Sequence, residues 1–204
     1  MEKDEKFALF LGMLCGDGCL SISHNGEGYR DYPIQFYNTN KQIVIQFQNL
    51  LSELFTISSK ILVSKRENKQ DLWYISKCSK ESYLKIKETG FPEGVKRDVL
   101  RIPQLIKEGT NEEKLSFVYD FLITDGCLRE TKDILFHSGS KTFLEELSDL
   151  ICEFTKLKKP VREYIQREKF KSYQLNLNKK ETEILLSNMP TWDNGTPFAL
   201  RSSN

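Results

Sequence analysis

Two aspartates are set apart by what surrounds them. The residues Asp17-Gly18-Cys19-Leu20 recur as Asp125-Gly126-Cys127-Leu128, each time after an apolar stretch: Phe7 to Cys15 in the first case, Phe117 to Ile123 in the second. If each stretch is a helix, each aspartate stands at its C-terminal end, and two such helices packed in parallel bring the carboxylates side by side. Paired carboxylates, the negative ends of two helix dipoles and the preceding main-chain carbonyls together make a hard-oxygen cation site, suited to Mg²⁺ rather than a transition metal. Metal ions placed between attacking and leaving oxygens are a standard means of hydrolysing phosphodiesters.

The elements that would position these carboxylates follow the same repeat. The stretch before Asp17 is apolar on every face, which calls for burial all round. Gly12 and Gly16 lie four apart on one face and let a second helix approach backbone to backbone, although glycine inside a helix costs about 1 kcal/mol relative to alanine. In the second stretch Asp120 and Thr124 stand in those two places. Close packing is not expected at that level, and Asp120 is expected either to face a polar partner at the edge of the seam or to mark drift toward lost activity. Downstream, the strand-like Ile34 to Tyr37 precedes a helix over Lys41 to Phe55, as Ile134 to His137 precedes one over Lys141 to Leu157. Lys60 to Glu67 with Leu72 to Ser76, and Val161 to Glu168 with Ser172 to Asn178, read as hairpins. Short helices over Lys80 to Thr89 and Lys180 to Asn188 close the halves.

The order is that of an α+β fold with two pseudo-symmetric αββαββα repeats. Each has a four-stranded antiparallel sheet with one face under helices and the other free for a partner. The organisation read from this is a first repeat over 1–90, a Gly- and Pro-bearing linker over 91–110, a second repeat over 111–190 and a tail over 191–204.

Composition narrows the function classes. With 39% apolar and 29% charged residues, the 204-residue chain is neither disordered, coiled-coil nor collagenous. It has no apolar run long enough for a membrane span and no signal-peptide core, so the expectation is a soluble intracellular protein. Five cysteines without a CxxC pair indicate neither a disulfide framework nor a zinc knuckle, and His24 and His137 have no ligand-spaced companions. A net charge of +1 alone argues against a nucleic-acid partner. The distribution argues for one, because Lys156 to Lys180 holds nine basic residues against two acidic ones.

The segments Leu11-Gly12-Met13-Leu14-Cys15-Gly16-Asp17-Gly18 and Tyr119-Asp120-Phe121-Leu122-Ile123-Thr124-Asp125-Gly126 resemble the two LAGLIDADG motifs of single-chain homing endonucleases. The resemblance implies paired motif helices and two sheets forming a saddle over the major groove of a long double-stranded DNA site. Cleavage of both strands would occur across the minor groove. It implies metal on Asp17 and Asp125 with the main-chain carbonyls of Gly16 and Thr124. Mg²⁺ is the expected cofactor, with Mn²⁺ substituting and Ca²⁺ binding without supporting cleavage. A monomer with internal pseudo-twofold symmetry and no membrane association is implied. Asn38, Ser138 and Asn178 are candidates to organise water around the metals, with Lys77 or Lys80 as nearby bases.

Alternation along the strands selects the DNA-facing candidates. These are Arg30, Gln35, Tyr37, Asn38, Asn40, Lys60, Ser64, Arg66 and Ser76 in the first half. In the second half they are Arg129, Lys132, His137, Ser138, Ser140, Arg162, Tyr164, Gln166, Lys171, Asn176 and Asn178. The alternative of another class is a cleavage-deficient LAGLIDADG protein that only binds nucleic acid, an intron maturase or a transcription regulator. An intein is disfavoured, since 204 residues leave no room for a splicing domain and the sequence ends in Ser203-Asn204 rather than His-Asn.

Overall fold

The computed structural model describes residues 2–24, 30–166 and 170–189, with the side chains of 166 and 170 excepted, so the expected tail over 191–204 lies outside the described residues. The first half runs α1 (Lys3–Asp17), β1 (Gly18–Leu20), β2 (Ser23–His24), β3 (Arg30–Asp31), β4 (Pro33–Asn38), α2 (Lys41–Phe55), β5 (Leu62–Ser64), β6 (Leu72–Cys78) and α3 (Lys80–Glu88). A short α4 (Gln104–Lys107) leads to the second half: α5 (Asn111–Asp125), β7 (Gly126–Leu128), β8 (Ile134–Ser138), α6 (Lys141–Thr155), β9 (Val161–Gln166), β10 (Phe170–Leu177) and α7 (Lys179–Asn188). The sheets have the same antiparallel order, β1-β4-β6-β5 and β7-β8-β10-β9, so the αββαββα repeat holds. The small β2–β3 ribbon is an addition to the first half.

Local chemistry sets the ends of these elements. Asn40 and Ser140 cap α2 and α6, accepting from the amides of Gln42 and Phe143. Capping boxes start α5 (Thr110 with Glu113) and α7 (Asn178 with Glu181). Helix α6 stops at Thr155 rather than Leu157 because Lys156 adopts a left-handed φ of 59°. The strand expected over Lys60 to Glu67 is only the three residues of β5, because the Arg66 guanidinium donates to the Gln70 carbonyl at 3.0 Å and turns the chain.

The core repeats as well. Phe36 of β4 stacks on Phe47 of α2 at 4.3 Å; in the second half Phe121 of α5 stacks on Phe136 of β8 at 5.9 Å and meets Phe143 of α6 edge-on at 4.8 Å. Between the halves lies α1, buried without a break from Ala8 to Gly16, packed along α5. Gly12 faces Phe117 and Phe121, and Gly16 faces Thr124 and Asp125, so the two helices run parallel. A Cβ on Gly12 would collide with the Phe117 carbonyl oxygen and stand 3.1 Å from the Phe121 nitrogen. The seam is therefore closed despite Asp120. That residue, fully buried, meets α2, where Gln46 Nε2 donates to its carboxylate at 3.0 and 3.3 Å. Thr124 satisfies its hydroxyl locally on the carbonyls of Asp120 and Phe121.

The span expected to be a linker is packed against the second half. Phe91, Leu100, Ile102 and Ile106 are buried, and Glu146 of α6 accepts from the Ile102 amide at 2.8 Å and from Lys107 at 2.7 Å.

Two substitutions test the seam. Gly12→Ala forces backbone apart and lowers stability by about 1–3 kcal/mol, read from denaturant midpoints; an unchanged midpoint would refute the close contact. Burial, countered only in part by Gln46, holds the Asp120 carboxyl well above the usual carboxylate range. A carboxyl with a raised folded-state pKa destabilises the fold as pH rises past its unfolded-state pKa of about 3.9. Asp120→Asn therefore gains stability over the parent from pH 4 toward neutrality, by at most about 1.4 kcal/mol per pH unit. A pH-independent difference would contradict this.

Candidate metal centre and nucleic-acid interface

Asp17 and Asp125 are the last residues of α1 and α5, each half-buried where the parallel helices end and the first strands begin. Around Asp17 the fold supplies Asn38 from the end of β4. Asn38 is 2% exposed; its Nδ2 donates to Asp17 Oδ2 at 2.5 Å, while its Oδ1 accepts from the Asn40 amide at 2.7 Å. Both ends of the amide are thus committed, and it fixes the carboxylate's orientation. Ser138 ends β8 in the equivalent way and lines a cleft with Asp125, His137, Gly139, Tyr164 and Ser172.

The sequence reading missed Lys96. It lies in the connecting segment, where no periodicity or motif marks it, and its side chain reaches the C-terminus of α1. There its Nζ donates to the carbonyls of Leu14 at 3.1 Å and Cys15 at 2.8 Å, and to that of Gly16. Burial lowers the pKa of this lysine, opposed by attraction to the carboxylates of Asp125 and Asp17. Burial pushes the neighbouring Cys15 thiol up to about 12, so the centre carries no thiolate near neutral pH.

Among the described residues no trio of His, Cys, Asp and Glu could hold a metal. A cation here would depend on two carboxylates, the Gly16 and Thr124 carbonyls, water and substrate oxygens. That all-oxygen, partly hydrated set fits Mg²⁺ or Mn²⁺ better than a soft metal.

Strand register sorts the remaining candidates. Ile34, Phe36 and Ile75 face the helices in the first sheet, which leaves Gln35, Tyr37, Ser64 and Ser76 on the open face. Gln35 Nε2 donates to Ser76 Oγ at 3.3 Å, and Tyr37 stacks on Tyr74 at 5.6 Å. In the second sheet His137, Arg162, Tyr164 and Asn176 share the open face, with His137 Nδ1 3.2 Å from the Tyr164 hydroxyl. Burial holds the His137 pKa below its ordinary value, helped by Arg129, which donates to Asn176 at 3.1 Å and pairs with Asp133. Gln174, opposite both His137 and Arg162, belongs to the same face, and counting back from Leu175 would have found it. Arg30 on β3, Lys60 before β5 and Lys132 in the β7–β8 turn are exposed at the periphery, and Arg66 is engaged by Gln70. Gln166 ends β9, its side chain outside the described residues.

Several expected roles are corrected. Lys77 pairs with Ile34, four residues and roughly 13 Å along the strand from Asn38, and points to the helix side. Asn178 lies beyond Leu177, which pairs with Ile134 at the end of β8 remote from Ser138, and it caps α7. Neither reaches the carboxylates. Lys80 stands at the start of α3 with its Nζ 5.7 Å from the Tyr32 ring. Asn40 and Ser140 are helix caps, Ser140 being 1% exposed and bonded to the Leu100 carbonyl. Lys171 lies on the helix-side register and pairs with Glu163 at 3.2 Å.

Residues 4–89 match the model of the LAGLIDADG-like domain. The chain carries a LAGLIDADG-like domain. The fold as a whole is similar to that of the homing endonuclease I-DmoI, solved in complex with DNA and Mn, with a TM-score of 0.69 over 92% of this chain and 97% of that one at 16% identity. It is also similar to the homing endonuclease I-WcaI bound to its DNA recognition sequence, with a TM-score of 0.62 over 93% of this chain and 81% of that one at 16% identity. In sequence, it is 24% identical over 151 residues to a DNA polymerase of Thermococcus aggregans, which covers 74% of this chain and 8% of that protein. It is 28% identical over 129 residues to a component of the A-type ATP synthase of Pyrococcus abyssi, covering 63% of this chain and 11% of that protein. The chain thus spans a small fraction of the length of these curated relatives. No described helix is long and apolar enough to cross a membrane.

Proposed function

We propose that this LAGLIDADG-fold chain is a site-specific homing endonuclease that acts as a monomer. It binds a long double-stranded DNA target on its two sheets and hydrolyses both strands across the minor groove with divalent metal at Asp17 and Asp125. The observation that carries the reading is the convergence of the two motif carboxylates at the ends of α1 and α5, with polar open sheet faces on either side. A bound Mg²⁺ would stabilise charge on the scissile phosphate and lower the pKa of its water.

The protein's own groups have distinct tasks. Asn38 keeps the Asp17 carboxylate turned toward the centre through its 2.5 Å hydrogen bond. Lys96 holds positive charge beside the position of the phosphate, while Ser138 stands by Asp125 as a small polar group able to position water. Gln35, Tyr37 and Ser76 on one sheet, with His137, Arg162, Tyr164 and Asn176 on the other, are the groups for phosphate and base-edge contacts.

The test is incubation with a randomised-site plasmid library and Mg²⁺, followed by sequencing of the ends produced. Discrete double-strand breaks at one long site are expected. Asp17→Asn and Asp125→Asn should each lose cleavage by on the order of 100-fold or more, the scale of removing one preorganised charge-stabilising group, and EDTA should abolish it. Retained sequence-specific binding without any breaks would replace this reading with that of a binding-only LAGLIDADG protein.

A further inference from the structure

The Gly16 carbonyl has two claimants. It is one of the main-chain oxygens suited to a metal, yet the Lys96 ammonium donates to it and to the carbonyls of Leu14 and Cys15. An ammonium has three protons to donate, and here three carbonyls in the last turn of a helix receive them. The lysine is held in place on both sides. Gly94 donates its amide to the Leu20 carbonyl at 2.7 Å, the Leu100 amide bonds the Lys96 carbonyl at 2.9 Å, and the Arg97 guanidinium bonds the Lys171 carbonyl at 3.1 Å. Lys96 also shares a cleft with Asp125, Ser138 and Gly139. A Cβ on Gly16 would stand 3.5 Å from the Asp125 amide nitrogen, which places the end of α5 directly against that of α1. The Asp17 carboxylate is held by the neutral amide of Asn38 and attracts Lys96 less than Asp125 does.

We infer that Lys96 is a tethered cation that competes with divalent metal at one pole of the centre, the pole formed by the Gly16 carbonyl and the Asp125 carboxylate. Metal therefore fills the other pole, Asp17 with the Thr124 carbonyl, first. The inference rests on the proposed metal centre and adds to it an order of loading. A DNA phosphate offers the ammonium an alternative acceptor, so the second pole becomes available to metal when substrate is seated.

Mn²⁺ binding to the DNA-free protein, followed by the electron paramagnetic resonance of free Mn²⁺, tests this without any need for cleavage. The unmutated protein is expected to show a tight and a weak site, with the tight one lost in Asp17→Asn and kept in Asp125→Asn. Lys96→Met should tighten the remaining site by about tenfold in the Asp17→Asn background, where an adjacent like charge has been removed. It should do so by less than about twofold in the Asp125→Asn background. Equal tightening in both backgrounds would mean that Lys96 acts only through general charge and would overturn the inference, as would two equal sites or a tight site that depends on Asp125. Should Lys96→Met unfold, as judged by circular dichroism, Lys96→Gln takes its place, and the comparison of the two aspartate variants decides by itself. Absence of Mn²⁺ from every variant would instead refute the metal centre.

Discussion

The centre of the molecule depends on how closely two apolar helices approach. A carboxylate on each of two separate domains would make two weak and independent cation sites; the same groups at the ends of parallel helices in backbone contact form a single centre. Gly12 permits that contact, since any side chain there would meet the Phe117 carbonyl. The loss of helix propensity at glycine, about 1 kcal/mol, is small against the burial of every residue from Ala8 to Gly16. The sheets then follow, because β1 and β7 begin immediately after the two aspartates and carry the open faces outward on either side.

Symmetry in the fold is accompanied by asymmetry at its polar points. Gln46 of α2 reaches across to Asp120, whereas Glu146, at the equivalent place in α6, fastens the connecting segment through Ile102, Arg101 and Lys107. Asn38 binds its aspartate, while the residue at the end of β8 is the shorter Ser138. A two-fold scaffold thus presents two unlike halves, and the open faces of the sheets differ in the same way: Tyr37 on Tyr74 in one, His137 against Tyr164 in the other.

The repeat, and with it the element order and the two aspartates, could be read directly from the sequence, because apolar periodicity and a recurring Asp-Gly-Cys-Leu depend only on local spacing. The starts of α2, α6 and α7 were legible to within a residue for the same reason, and Asn40, Ser140 and Asn178 prove to be their caps. Those same residues misled the reading of the interface, because a polar side chain beside a strand looks alike whether it serves a helix terminus or a ligand. Lys77 and Asn178 failed for a different reason. Alternation gives a face but not the position along a strand relative to another element, which only the register supplies. Lys96 was invisible because its role arises from contacts some eighty residues apart in sequence; a polar partner for Asp120 was among the expectations and is present as Gln46, but its place on α2 could not be read from local spacing.

The most direct measurement of the central claim is a crystal structure of the protein with its DNA target and Mn²⁺, read by anomalous scattering. The account predicts Mn²⁺ between the ends of α1 and α5, bound to Asp17 and Asp125, beneath a duplex lying across the open faces of both sheets. Metal bound elsewhere, or DNA held on the helical side of the sheets, would contradict it.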